Sequence, residues 1–177
     1  MKRPEILAPA GSMEALIAAV RCGADAVYVG GTSYSARSSA SNFDLQQLKE
    51  AAELCRLYGV SLHLAVNTLL TDTELPAFEQ YLREAGQYAD ACIVQDLGAV
   101  RAIRAILPDM PIHASTQMSV HSPEGAMQAA ELGCSRVVAA REMSKQDLAR
   151  LCQLPVEVEA FVHGALCMSV SGQCSFS

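Results

Sequence analysis

Seven short apolar runs alternate with six amphipathic segments, and this alternation restricts the fold more than anything else in the chain. The runs are ILA from Ile6, AVYV from Ala26, SLHLAV from Ser61, ACIV from Ala91, PIH from Pro111, VVAA from Val137 and VEVEAFV from Val156. The helical patterns begin near Ser12, Asp44, Thr71, Leu97, Ser122 and Ser144. Several carry start signals. Thr71 with Glu74 reads as a capping box, Asp44 with Gln47 and Ser144 with Asp147 as variants of it, and Ser122 precedes Pro123 as a cap before a first-turn proline. Gly23, Gly59 and Gly133 each close a helical pattern, where a left-handed residue ends a helix. Strands separated by single helices and short connections run parallel through right-handed crossovers, so the predicted class is α/β.

The near-regular spacing favours a (β/α)8 TIM-type barrel over a doubly wound sheet. The latter would usually carry a Gly-rich dinucleotide fingerprint after its first strand, and APAGS from Ala8 is not one. A complete barrel takes about 250 residues, whereas 177 residues supply about six βα units and a seventh strand. Residues 1–177 are therefore expected to form the N-terminal part of a single barrel domain, truncated just after its cysteine motif, with no internal linker. The first and seventh strands would be open edges, suited to a protein partner that completes the barrel.

No run approaches the ~20 apolar residues of a membrane span, and MKRPEILAPAGS lacks the plan of a signal peptide, so a cytoplasmic protein is expected. The net charge of -6 argues against broad adhesion to DNA or RNA, which needs clustered Lys and Arg. Any RNA contact must be local, and Arg37 and Arg141 are the cations best placed for it. Of the seven cysteines, Cys22, Cys55, Cys92, Cys134 and Cys152 lie in apolar patterns and read as buried reduced thiols.

In a parallel barrel the residues just past each strand meet on one face. In order they are Gly11 with Ser12, Gly30 and Gly31 leading to Arg37, Asn67, Gln95 with Asp96, Ser115 with Gln117, Arg141 with Glu142, and His163. Strand parity adds an inward polar set: Ser61, His63 and Asn67, then His113, Ser115 and Gln117, then Glu157, Glu159 and His163. An unpaired buried carboxylate costs several kcal/mol, so Glu157 and Glu159 are expected to find partners in His63, His113 and backbone or water donors. Beyond the seventh strand, Cys167 and Cys174 share a loop with Gly164 and Gly172. Two thiolates so placed suit a soft metal or an iron-sulfur cluster without completing its ligand set. Alternatively, Cys167 is a nucleophile with His163 as its base, although no GxSxG or HExxH accompanies them.

Glu159 to Ser177 resembles the signature of the U32 peptidase-like family: an E-x-F-x-x-G opening, a small-apolar-Cys step, then G-x-C with a serine soon after. ILAPAGSMEAL from Ile6, GADAVYVGG from Gly23, ASNF from Ala40, VNTLL from Val66, HASTQMSV from His113 and RVVAAREMS from Arg136 look like that family's blocks in its order. The resemblance implies a barrel protein, and it implies one of two activities. Some members are labelled peptidases or collagenases. Others are oxygen-independent hydroxylases of tRNA, ribosomal RNA or the ubiquinone ring, some with prephenate as hydroxyl source and a 4Fe-4S cluster held by four cysteines. On the hydroxylase reading Cys167 and Cys174 are two of the cluster's four ligands, and His163, Arg141, Glu142 and Asn67 serve the reacting centre. Arg37, Ser115, Gln117 and Asp96 line the pocket for RNA or a small aromatic substrate. The basic residue that commonly follows the family's second-loop arginine is Ser38 here. A non-catalytic assembly subunit is the third reading.

Overall fold

The computed structural model describes residues 3–36, 42–164 and 169–172. Its sheet has seven strands in sequence order, every pair parallel. They are β1 Leu7–Pro9, β2 Ala26–Gly30, β3 Ser61–Val66, β4 Ala91–Val94, β5 Ile112–Ala114, β6 Arg136–Val138 and β7 Glu157–Glu159. The intervening helices are α1 Met13–Arg21, α2 Leu45–Tyr58, α3 Leu75–Ala85, α4 Leu97–Ile106, α5 Pro123–Glu131 and α6 Lys145–Leu151. This is the predicted run of six βα units and a seventh strand. No helix among the described residues is long and apolar enough to cross a membrane.

Local chemistry sets the helix starts. Ser12, Asp44, Asp96, Ser122 and Ser144 each accept a backbone N–H of the following first turn through a side-chain oxygen, and Asp44 with Gln47 forms the reciprocal capping box. Gly59 ends α2 at φ 68°, as a left-handed terminator requires. The Thr71–Glu74 pairing also forms, with Thr71 N–H donating to Glu74 Oε2 at 2.8 Å, but it closes a turn ahead of α3. The helix itself begins at Leu75, with Pro76 in its first turn. The main core lies between sheet and helices, where Leu16, Leu48, Leu62, Leu64, Phe78, Leu82, Ile103, Ile112 and Leu151 are wholly buried.

Three expectations need correction. The seventh strand was predicted to run from Val156 to Val162 but ends at Glu159, because β6, its one pairing partner among the described residues, offers only Arg136–Val138 for register. Past that point Phe161 and Val162 are exposed, Val162 at 96%. Cys55, Cys92 and Cys134 are buried as expected, and burial pushes the Cys92 thiol up to about 12. Cys22 and Cys152 instead are exposed, since each falls on the C-cap of its helix (α1 and α6), past the last buried turn. Glu157 and Glu159, expected to pair with His63, His113 and backbone or water donors, instead face Arg136.

Candidate active site

Because all seven strands are parallel, Asn67, Asp96, Ser115, Gln117, Arg141, Glu142 and His163 follow their C-terminal ends and lie at one end of the sheet. Arg37, Cys167 and Cys174 lie outside the described residues. The side chains divide into those spent on local structure and those that tie loops together.

Asn67 Oδ1 accepts the N–H of Ala36 at 3.1 Å, and Thr68 Oγ1 donates to the carbonyl of Tyr34, so the end of β3 holds the β2–α2 loop just before Arg37. Tyr34 stands at φ 64° with its ring edge-on to Phe78, centroids 5.0 Å apart. Asp96 caps α4 through Ala99 N–H at 2.8 Å, while its other oxygen faces Leu70 N–H at 3.5 Å. Ser115 is buried and caps the single turn Thr116–Met118. Gln117 on that turn has a buried Oε1 without a hydrogen-bond partner. An amide oxygen left so is a site for a donor on a ligand. His163 is exposed and makes no hydrogen bond or ion pair among the described residues.

The tightest assembly is centred on Ser171, a residue absent from the sequence-based candidates. It is wholly buried. Its N–H donates to Glu142 Oε1, its Oγ accepts from Arg141 N–H at 3.2 Å and Arg141 Nε at 3.3 Å, and its carbonyl accepts from Ser119 Oγ at 3.0 Å. His121 extends the group, with Nδ1 2.8 Å from the Ser119 carbonyl and Nε2 3.6 Å from Glu142 Oε2. Burial acts to raise the Glu142 carboxyl, but bonds from its own backbone and from Ser171, with His121 nearby, hold it below its ordinary value. The neighbouring Gly172 has φ 83°, and a Cβ there would fall 2.0 Å from Ser119 Oγ and 2.9 Å from the Gln117 carbonyl. The one sequence signal for this assembly is the small, polar S-V-S-G run between the two cysteines.

At the opposite end of the sheet, a cavity of about 490 Å³ is lined by Glu5, Ser61, His63, Asp90, Arg104, His113, Arg136 and Glu157 among others. Arg136 is the counter-ion there. Its Nε donates to Glu157 Oε2 at 2.9 Å, Nη1 and Nη2 donate to Glu5 at 3.0 and 3.3 Å, and Nη1 stands 3.7 Å from Glu159 Oε2. The sequence reading began the sixth strand at Val137, which left Arg136 outside; in fact β6 starts at Arg136, directly opposite Glu157. The acids are thus ion-paired, and His63 and His113 pack edge to face, centroids 4.8 Å apart, with both Nδ1 atoms buried and unpartnered.

This pair makes the fold acid-sensitive. Burial, then the neighbouring His63 and Arg136, push the His113 imidazole from 6.5 down to about 3. The unfolded chain therefore takes up a proton that the folded chain refuses, and stability that is full above pH 6.5 is lost as pH falls toward 3. One such proton gives at most about 1.4 kcal/mol per pH unit. Urea titrations across this window are expected to show a flatter pH profile for His113→Phe than for the parent, a comparison in which carboxylate titrations common to both chains cancel.

The family model described as "Peptidase family U32" matches residues 11–177. Over 99% of this chain and 42% of its own length, "tRNA hydroxylation protein P1" of Bacillus subtilis is 36% identical. "23S rRNA 5-hydroxycytidine C2501 synthase" of Escherichia coli is 36% identical over 99% of this chain and 26% of its own length. "Collagenase" of Porphyromonas gingivalis is 36% identical over 98% of this chain and 44% of its own length. The chain thus spans less than half of these curated relatives. Among solved structures, "The Structure of the U32 Peptidase Mk0906" superposes with a TM-score of 0.72 at 15% identity, covering 90% of this chain and 69% of that one, a likeness of fold.

Proposed function

This chain belongs to peptidase family U32, and from that premise we infer that it is part of an iron-sulfur-dependent, oxygen-independent hydroxylase acting on an RNA base. The observation that carries the reading is the clasp around Ser171. It fastens a loop with a thiol on either side, Cys167 and Cys174, to Arg141 and Glu142 at the mouth of a parallel barrel. Thiolates are the donors that iron-sulfur clusters select, so the donor chemistry fits, and Cys167 and Cys174 would supply two of such a cluster's ligands. Among the described residues no group of three or more His, Cys, Asp and Glu could hold a metal instead. When bound, such a cluster supplies electron transfer. Cys55, Cys92 and Cys134 are buried elsewhere in the core, so they do not complete the set.

The remaining residues bind and orient. Arg141 is exposed at the mouth and steered by Ser171, placed to pair with a phosphate or with the carboxylates of a hydroxyl donor such as prephenate. Gln117 Oε1 would accept an N–H of the base. Asn67 fixes the approach to Arg37, a second cation for the RNA backbone. With a net charge of -6 the contact is confined to these few residues. RNA is preferred over a quinone ring because two of the relatives carry RNA hydroxylation names.

The collagenase name of a third relative keeps peptide hydrolysis as the second reading, with Cys167 as nucleophile. Anaerobic purification of the full reading frame's product separates the two. Iron and acid-labile sulfide with a coloured visible spectrum, lost in Cys167→Ser and Cys174→Ser, are expected. A colourless, iron-free protein that cleaves peptides through Cys167 would replace the hydroxylase reading.

A further inference from the structure

His121 lies between the turn Thr116–Met118 and Ser122, the cap of α5, at the end of the sheet that carries Arg141 and Glu142. Its Nδ1 stands 2.8 Å from the carbonyl of Ser119. A carbonyl only accepts, so Nδ1 carries hydrogen whether the ring is neutral or charged, and Nε2 is the one position where a proton comes and goes. That nitrogen is 3.6 Å from Glu142 Oε2. Both neighbours of the ring are held in place, since Ser119 Oγ donates to the carbonyl of the buried Ser171 and Glu142 Oε1 accepts the Ser171 N–H. The His121 and Glu142 side chains are 39% and 36% exposed, open enough to meet a ligand.

Arg141 is the cation of this group, its Nε donating to Ser171 Oγ at 3.3 Å. Glu142 is ionised at neutral pH, because the hydrogen bonds to its carboxyl outweigh the burial that acts to raise it. The two charges cancel, and in a chain of net charge -6 a neutral group holds little attraction for an anion. A proton on Nε2 changes the balance, since the imidazolium offsets Glu142 and leaves the guanidinium charge for a ligand. Among the described residues Glu142 is the charged group in contact with the ring, Arg141 precedes Glu142 in sequence, and Glu124 is the acid in the first turn of α5. We propose that His121, Glu142 and Arg141 form a proton-coupled binding site for a phosphate group, in which protonation of His121 and binding of the phosphate favour each other. The coupling is reciprocal by linkage. It rests on the RNA reading for the source of that phosphate, though not for its geometry.

The test follows the ring hydrogens of the four histidines by nuclear magnetic resonance from about pH 5.5 to about pH 8.5, the range in which a histidine ordinarily changes charge. Titrations in sodium sulfate are compared with titrations in sodium chloride of equal ionic strength, since sulfate stands in for phosphate and keeps its charge throughout. His121→Asn identifies the signal. The His121 midpoint is expected to rise in sulfate by about 0.5 pH unit or more, which corresponds to about threefold tighter sulfate binding by the protonated form. Arg141→Gln is expected to abolish the rise. Glu142→Gln, a second variant should the first not fold, is expected to lower the midpoint in chloride. No rise in the parent, an equal rise at the exposed His163, a rise kept in Arg141→Gln, or a chloride midpoint unchanged in Glu142→Gln overturns the proposal. A short single-stranded RNA in place of sulfate separates the two ideas. A rise with RNA as well supports both. A rise with sulfate alone supports the phosphate site, assigns its ligand to a small phosphate compound and counts against the RNA reading.

Discussion

Arg136→Ala is expected to destabilise the fold by about 2 kcal/mol at neutral pH, between the values for exposed ion pairs and for a buried pair broken from one side, because Glu5 and Glu157 are partly solvated and Glu159 is not. The guanidinium is 13% exposed and meets carboxylates from three places: Glu5 ahead of β1, and Glu157 and Glu159 on β7. It therefore ties the first strand to the sixth and seventh across an open ring. Without it, Glu159, which burial already holds above its ordinary carboxylate value, has no cation. Urea unfolding monitored by circular dichroism would check this. A loss under 0.5 kcal/mol would mean that water solvates these acids in the cavity.

Phe78→Ala is expected to cost about 3–5 kcal/mol, the usual range for deleting a buried ring. Phe78 is fully buried on α3 and carries the Tyr34 ring edge-on. Tyr81, one turn further along α3, also lies against Tyr34, centroids 5.5 Å apart, with its hydroxyl where a side chain on Gly31 would fall. The substitution thus removes core volume and also the support for Tyr34, two residues before Ala36, whose N–H binds Asn67. Chemical denaturation should show the stability loss. Hydrogen exchange should show lost protection at Ala36 under conditions where α1 and β2 remain protected. A loss confined to stability, with Ala36 unchanged, would detach this loop from the aromatic cluster.

The barrel was legible because each of its devices is local. Period-two apolar runs, side-chain caps at Ser12, Asp44, Ser122 and Ser144, and the terminator Gly59 act within a few residues. Gathering Asn67, Asp96, Gln117, Arg141 and Glu142 at one end then follows from parallel topology alone. What escaped depends on register between strands. Arg136 reads as the tail of a loop until its pairing with Glu157 shows it to be a strand residue. The seventh strand looked seven residues long because apolar alternation continues to Val162, whereas pairing stops where β6 does. Asp96, expected as a substrate contact, is also the cap of α4 through Ala99 N–H, a local role that the spacing of the sequence did not single out. Ser171 escaped because its partners lie 29, 30 and 52 residues away, and no spacing rule joins them.

Hydroxylation of an RNA base at the mouth of this barrel leaves a chemical trace in the cell's RNA. Nucleoside mass spectrometry of total RNA, from cells with and without the intact reading frame, tests it most directly. A nucleoside heavier by one oxygen atom is expected, which disappears on deletion and returns with the parent sequence but not with Cys167→Ser or Arg141→Ala. An unchanged nucleoside profile, alongside Cys167-dependent cleavage of peptides by the purified protein, would contradict it.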